Sequence, residues 1–148
     1  ILNNDNAILA VEHGPRGGDE INLIEVGNNY GWPIVSLGSH YDFKYIDKTD
    51  NTDGVTMRDP LFSFVPSIAT SAITIYKGDE FKEWNGDALI TSLKDMSLRK
   101  LNFENKENVV EQIIFKNKIG RIRDIQVHPS NGKIYFLSQD SLWIMEKN

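Results

Sequence analysis

The chain contains no cysteine. That excludes a disulfide framework and any thiolate metal site. It also lacks an excess of positive charge. Sixteen Lys and Arg stand against 21 Asp and Glu, a net charge of −5, so a basic nucleic-acid surface is not expected. No apolar run approaches the roughly 20 residues needed to cross a membrane. No stretch reads as a long amphipathic helix. The 148 residues suffice for one ordinary domain with its own core. No signal peptide is present, but the chain begins at Ile1 rather than Met. It reads as a piece of something longer, so the missing signal is silent about compartment.

What is present gathers first around one loop. Glu12-His13-Gly14-Pro15-Arg16-Gly17-Gly18-Asp19-Glu20-Ile21-Asn22-Leu23-Ile24 is followed by Asn29-Tyr30-Gly31-Trp32-Pro33. Gly14-Pro15 and Gly17-Gly18 force a loop. Asp19 and Glu20 then stand at the mouth of a strand running from Ile21 to Glu25. Tyr30-Gly31-Trp32-Pro33 neither continues a strand nor starts a helix. Such loops aim bare carbonyl oxygens and carboxylates at one point, the donor set that a hard cation such as calcium takes. A tight surface turn beside a core Trp is the plainer explanation from composition alone.

The remaining chain is patterned for strands. Ala7–Val11 is a short apolar run read as a buried strand, preceded by an Asn3-Asn4-Asp5-Asn6 turn. The second strand ends at Gly27-Asn28-Asn29. Residues 34–60 have no periodicity and form a long excursion, which in compact domains is usually functional or mobile. His40, near its start, reads as a solvated loop residue. Leu61–Ile68 ends in a Pro-bounded loop. Strands are then expected over Ala72–Tyr76, Asp87–Thr91, Ser97–Phe103 and Val109–Phe115, with at most one helical turn over Phe81–Trp84 and turns at Lys77-Gly78-Asp79 and Glu104-Asn105-Lys106. Four strands joined by short turns, in a repeat of roughly 40 residues, are what a propeller blade requires. A second set follows: a strand marked by Ile122, Ile125 and Val127, then Lys133–Ser138 and Leu142–Met145. The expected class is all-β, a β-propeller, with both chain ends inside repeats.

These residues carry a family resemblance. The Glu12–Glu20 run and Asn29-Tyr30-Gly31-Trp32-Pro33 resemble the soluble quinoprotein aldose sugar dehydrogenases and soluble glucose dehydrogenases, which use pyrroloquinoline quinone (PQQ). Pro66-Ser67-Ile68-Ala69, Phe81-x-x-Trp84-x-Gly86-Asp87, Ser92-Leu93-Lys94 and Gly120-Arg121-Ile122-Arg123-Asp124 agree in order and spacing. The resemblance covers nearly the whole chain except about His40 to Asp59. It implies a six-bladed propeller, of which residues 1–148 would be about the C-terminal third, roughly two blades.

The resemblance also implies roles, residue by residue. The backbone carbonyls of Gly14 and Pro15 would bind the calcium that contacts PQQ. Glu20 by side chain and Tyr30 by backbone oxygen would bind a second, structural calcium. Lys94, Arg121 and Arg123 would hold the cofactor, with Ser67 near it and Phe62 the nearest match to an aromatic neighbour. His13 replaces the Gln that soluble glucose dehydrogenases carry before Gly-Pro, which favours the broader aldose branch. The general-base His belongs to an earlier blade, so no catalytic residue is expected among these 148. The implied reaction is oxidation of an aldose sugar at C1 to a lactone, with an external electron acceptor and a periplasmic or secreted location. A non-enzymatic calcium-binding propeller of the same superfamily, serving as a binding module, is the alternative. Retention of Lys94, Arg121 and Arg123 together favours the enzyme.

Overall fold

The computed structural model describes residues 8–42, 44, 46, 56–103 and 109–147. The expected turns at Asn3–Asn6 and Glu104–Lys106, and much of the 34–60 excursion, lie outside the described residues. The chain divides into two compact units, one within Asn6–Ala69 and one within Thr70–Asn148. Among the described residues the only helical element is a single 3-10 turn, so the architecture is all-β as expected.

The first unit is a three-stranded antiparallel sheet. Strand β1 (Ile8–Glu12) pairs with β2 (Asp19–Ile24), which pairs with β3 (Phe62–Phe64). The register sets Glu12 opposite Glu20, and Asp19 opposite Phe64. No strand is assigned in Leu61–Ile68, which the sequence reads only as ending in a Pro-bounded loop; β3 lies in its first part. It forms because β2 offers it an edge: Gly18 N–H donates to the Phe64 carbonyl at 3.0 Å and Leu61 N–H to Ile21 at 2.8 Å. β2 departs from simple alternation. Asp19, Glu20, Ile21 and Asn22 are all buried, so this strand is covered on both faces and hides polar groups.

The second unit holds two sheets. Strands β4 (Thr70–Ile75), β5 (Ala88–Ser92), β6 (Ser97–Asn102) and β7 (Val110–Lys116) form one antiparallel meander. This is the four-stranded blade expected. Strands β8 (Asp124–Val127), β9 (Ile134–Leu137) and β10 (Leu142–Met145) form the other, with β8 beside β4 and β5. Tyr76, Phe81, Leu89, Leu98, Ile122, Ile125, Ile134 and Phe136 make one apolar core between them. The Tyr76 hydroxyl stitches it, donating to the Gly132 carbonyl at 2.8 Å and accepting from Phe81 N–H at 2.9 Å. The 3-10 turn, Lys82–Trp84, stacks Trp84 on Phe81 with ring centres 4.5 Å apart. Asp87 is buried and receives Lys100 Nζ and Asn102 Nδ2, each at 2.6 Å. The Phe81–Asp87 motif is therefore packing and blade closure.

Candidate functional site

In the first unit, the β1–β2 loop has no room for side chains at its tightest point. A Cβ on Gly14 would stand 1.8 Å from the Gly17 carbonyl oxygen and 2.4 Å from that of Gly18. Gly18 itself has φ +64 and would press a Cβ onto Leu37 and Gly38 backbone. These glycines let the loop fold back until carbonyl oxygens crowd together. The Pro15 carbonyl already accepts Ser39 N–H at 2.8 Å, which leaves it one lone pair.

Tyr30 is fixed by its side chain. Its hydroxyl donates to the Leu23 carbonyl at 2.6 Å and accepts from Glu25 N–H at 2.7 Å. Gly31, at φ +108, makes the turn that follows, and its carbonyl accepts Ile34 and Val35 N–H. Gly14, Pro15, Glu20 and Tyr30, the four expected metal residues, line one cleft together with Glu12 and His13. It holds about 20 Å³ of free space, room for one small ion or water, so as it stands it takes one of the two calcium ions the resemblance implies.

The electrostatics of this cleft suit a cation. Burial pushes the Glu20 carboxyl above the usual range; a hydrogen bond from Asn22 opposes this, and the charges of Glu12 and Asp59 add to it. Asn22 Nδ2 donates to Glu12 and lies 3.4 Å from Glu20 Oε2. Among the described residues Asn22 Oδ1 has no hydrogen-bond partner although it is buried, a costly state for an amide oxygen. Among the described residues Glu20 makes no ion pair, and no three His, Asp or Glu side chains converge as a metal cluster. A cation here would depend on mixed carboxylate and backbone oxygens from the lining residues, a donor set that fits calcium.

Ser67 and Phe62 lie in the same unit. Ser67 Oγ donates to Asp19 at 2.7 Å and accepts Ala69 N–H at 3.1 Å. Phe62 is half-buried in β3, its ring edge-on to Phe64 with centres 5.0 Å apart. His40 is exposed, as expected.

The three expected cofactor cations all belong to the second unit. Lys94 sits in the β5–β6 turn and is exposed. The strand marked by Ile122, Ile125 and Val127 begins as β8 only at Asp124, so Arg121 and Arg123 both precede it. Residues 121–123 nonetheless alternate as in a strand. Ile122 is fully buried while both Arg are exposed. Ile122 N–H reaches the Ser92 carbonyl at 3.4 Å, and its own carbonyl accepts Ser71 Oγ at 2.7 Å. Arg123 N–H donates to the Leu137 carbonyl at 2.6 Å. The Arg pair is thus fastened to Ser92, two residues from Lys94. Among the described residues none of the three cations forms an ion pair.

The turn that carries Lys94 is rigid. Asp95 accepts from the Ser92 and Ser97 hydroxyls and from Arg99, and Lys116 Nζ lies 3.3 Å away. Burial pushes the Asp95 carboxyl up, but bonds from Ser92, Arg99 and Ser97 and the Arg99 charge overcome it, bringing it down to about 2. Asn22 and the Asp95 network carry no mark in the sequence, and for Asp19 the sequence shows an acid at a strand mouth but not its bonds to Gly14, Ser67 and Ile68.

Comparison with known proteins gives a consistent family. The glucose/sorbosone dehydrogenase family model matches residues 1–143. The aldose sugar dehydrogenase YliI of Escherichia coli is 33% identical over 136 residues, covering 92% of this chain and 36% of the relative. A crystal structure of glucose dehydrogenase superposes with TM-score 0.84 at 30% identity, over 99% of this chain and 43% of that one. A PQQ-bound aldose sugar dehydrogenase from Streptomyces coelicolor shares the fold with TM-score 0.62 at 19% identity, over 90% of this chain and 34% of that one. The chain spans about a third of the length of the curated relatives it matches.

Proposed function

The chain belongs to the glucose/sorbosone dehydrogenase family, and from that premise we propose that it forms the C-terminal part of one β-propeller in a PQQ-dependent aldose sugar dehydrogenase. The reaction is oxidation of an aldose at C1 to the lactone, with electrons passed to an external acceptor, in the periplasm or outside the cell. When bound, PQQ supplies the hydride acceptor and calcium the Lewis acid.

This chain's part is to hold them. Lys94 offers a point charge, and Arg121 and Arg123 offer planar forks to carboxylates. The Gly14 and Pro15 carbonyls face the calcium that meets the cofactor. Glu20 and the Tyr30 backbone oxygen serve a second calcium, with Glu12 as a further carboxylate at the same cleft. Ser67 and Phe62 border the cofactor. The histidine that removes the C1 hydroxyl proton comes from a preceding segment, so these residues bind and orient rather than abstract.

The observation that carries this reading is the exposed trio at one hydrogen-bonded junction without acidic partners among the described residues. Three exposed cations on neighbouring turns, none of them in an ion pair among the described residues, suit a ligand with several carboxylates. The test is titration of full-length apo-protein with PQQ, with calcium in excess. Arg123→Ala should weaken affinity by about ten- to a hundredfold and leave the melting temperature of the apo-protein near the parent value. Unchanged affinity would instead favour the non-enzymatic calcium-binding propeller.

A further inference from the structure

Asp19 opens β2 with its side chain fully buried. Its carboxylate accepts from two segments far apart in sequence. Oδ1 accepts Gly14 N–H at 3.0 Å and Ser67 Oγ–H at 2.7 Å. Oδ2 accepts Ile68 N–H at 3.0 Å and lies 2.9 Å from Ser67 Oγ. Gly14 belongs to the loop that lines the acidic cleft. Ser67 and Ile68 follow β3, which the ladder locks to β2 with Asp19 opposite Phe64. One carboxylate therefore spans both segments from a fixed point on the sheet.

The Ser67 hydroxyl is occupied on both sides. It donates to Asp19 and accepts Ala69 N–H. Its chemistry is directed inward, to the carboxylate that also holds Gly14. We propose that Asp19 is a positioning residue that couples the segment at Ser67 to the Gly14-Pro15 loop, so that calcium affinity at the cleft depends on the Ser67 hydroxyl. The inference rests on the reading of that cleft as a calcium site. Asp19 acts through Gly14: its bond to the Gly14 N–H fixes the His13–Gly14 peptide, the anchor from which the Gly14-Pro15 segment that lines the cleft continues. Ser67 and Ile68 in turn hold the carboxylate in place. A carboxylate with three donors is a stiff link, because each bond restricts the rotation the others leave free.

The test uses the full-length protein and calcium affinity measured by chelator competition, in the absence of PQQ. Ser67→Ala should weaken calcium binding by about two- to tenfold, the range of one net hydrogen bond, although Ser67 supplies no ligand. Ser67→Thr should restore the parent affinity. In an Asp19→Asn background, Ser67→Ala should add no further loss, because the link is already broken. Ser67→Ala at parent affinity, in a protein that binds calcium, overturns the coupling. Losses from Ser67→Ala and Asp19→Asn that simply add also overturn it. A parent protein that binds no calcium removes the reading of the cleft and the inference with it. Asp19→Asn unfolding would not spare the proposal, since Ser67→Ala and Ser67→Thr decide it alone.

Discussion

Asp95 in the β5–β6 turn and Glu20 in β2 are both withdrawn from water, and their carboxyls move in opposite directions. Asp95 is held down at about 2 by Ser92, Arg99 and Ser97. Glu20 is held up by burial, with Glu12 and Asp59 adding to it. The first cluster carries its own cations: Arg99 bridges Asp95 and Glu111, and Lys116 stands beside Asp95. At the second, no Lys or Arg pairs with Glu20 among the described residues, and an amide oxygen is orphaned beside it. The same chemistry has been closed in one place and left open in the other. A closed acidic cluster stabilises a turn. An open one is a place for an ion to enter.

That contrast can be broken from the closed side first. Arg99→Met in the full-length protein removes the bridge and strands two carboxylates. Removing one partner of a buried pair costs about 3–5 kcal/mol, and Lys116 keeps the loss near the lower end. Urea denaturation measures it; a loss below about 1 kcal/mol would mean Asp95 is not sealed as described.

The open side should respond with a change of sign. Glu20→Gln removes a buried negative charge, so in chelator the variant should melt at or above the parent temperature. With calcium at about a hundred times its dissociation constant, the parent gains about 2.7 kcal/mol, and the variant should fall below it. Paired melting curves in calcium and chelator check this. Parallel responses would remove Glu20 from the ion's ligands.

A smaller effect separates the two clusters by pH. Asp95 has a depressed carboxyl, so its contribution is complete above the ordinary value of 3.8 and is lost as pH falls toward about 2. Asp95→Asn should flatten stability over that window and lower it at neutral pH. Denaturation profiles of parent and variant from pH 5 to about 2 would show the two curves converging in acid.

The smallest expected change is at Tyr30. Tyr30→Phe deletes the hydroxyl that joins Leu23 and Glu25 and should cost about 1 kcal/mol. Its backbone oxygen remains, so calcium binding should persist with at most a modest loss. Calorimetric titration distinguishes this from a ligand role for the hydroxyl, which would abolish binding.

The sequence was most legible where the chain is locally regular. Leu142–Met145 matches β10 residue for residue, and β4 to β7 fall within two residues of the expected spans, because short turns and apolar alternation mark them. β3 escaped notice because three residues between Pro60 and Pro66 carry no period; its partner β2 lies about 40 residues away. The strand expected from Ile122 starts two residues later, since Arg123 bonds β9 through its N–H outside the named ladder. The four metal candidates were legible as a motif, and one cleft brings them together. Asn22 was not, and Asp19 only as an acid at the mouth of a strand. A polar residue in a strand reads as solvent-facing, and only a strand covered on both faces reverses that meaning.

Ile122 has a consequence of another kind. Its side chain is sunk in the core, and its N–H and carbonyl are both tied to the neighbouring sheet. The backbone bearing Arg121 and Arg123 therefore loses its freedom when the protein folds, not when a ligand arrives. Such preorganisation spares the association step an ordering cost. Two guanidinium groups on a mobile loop would surrender that entropy at every binding event. Here the core has already absorbed the backbone's share, and only the exposed side chains are left to settle.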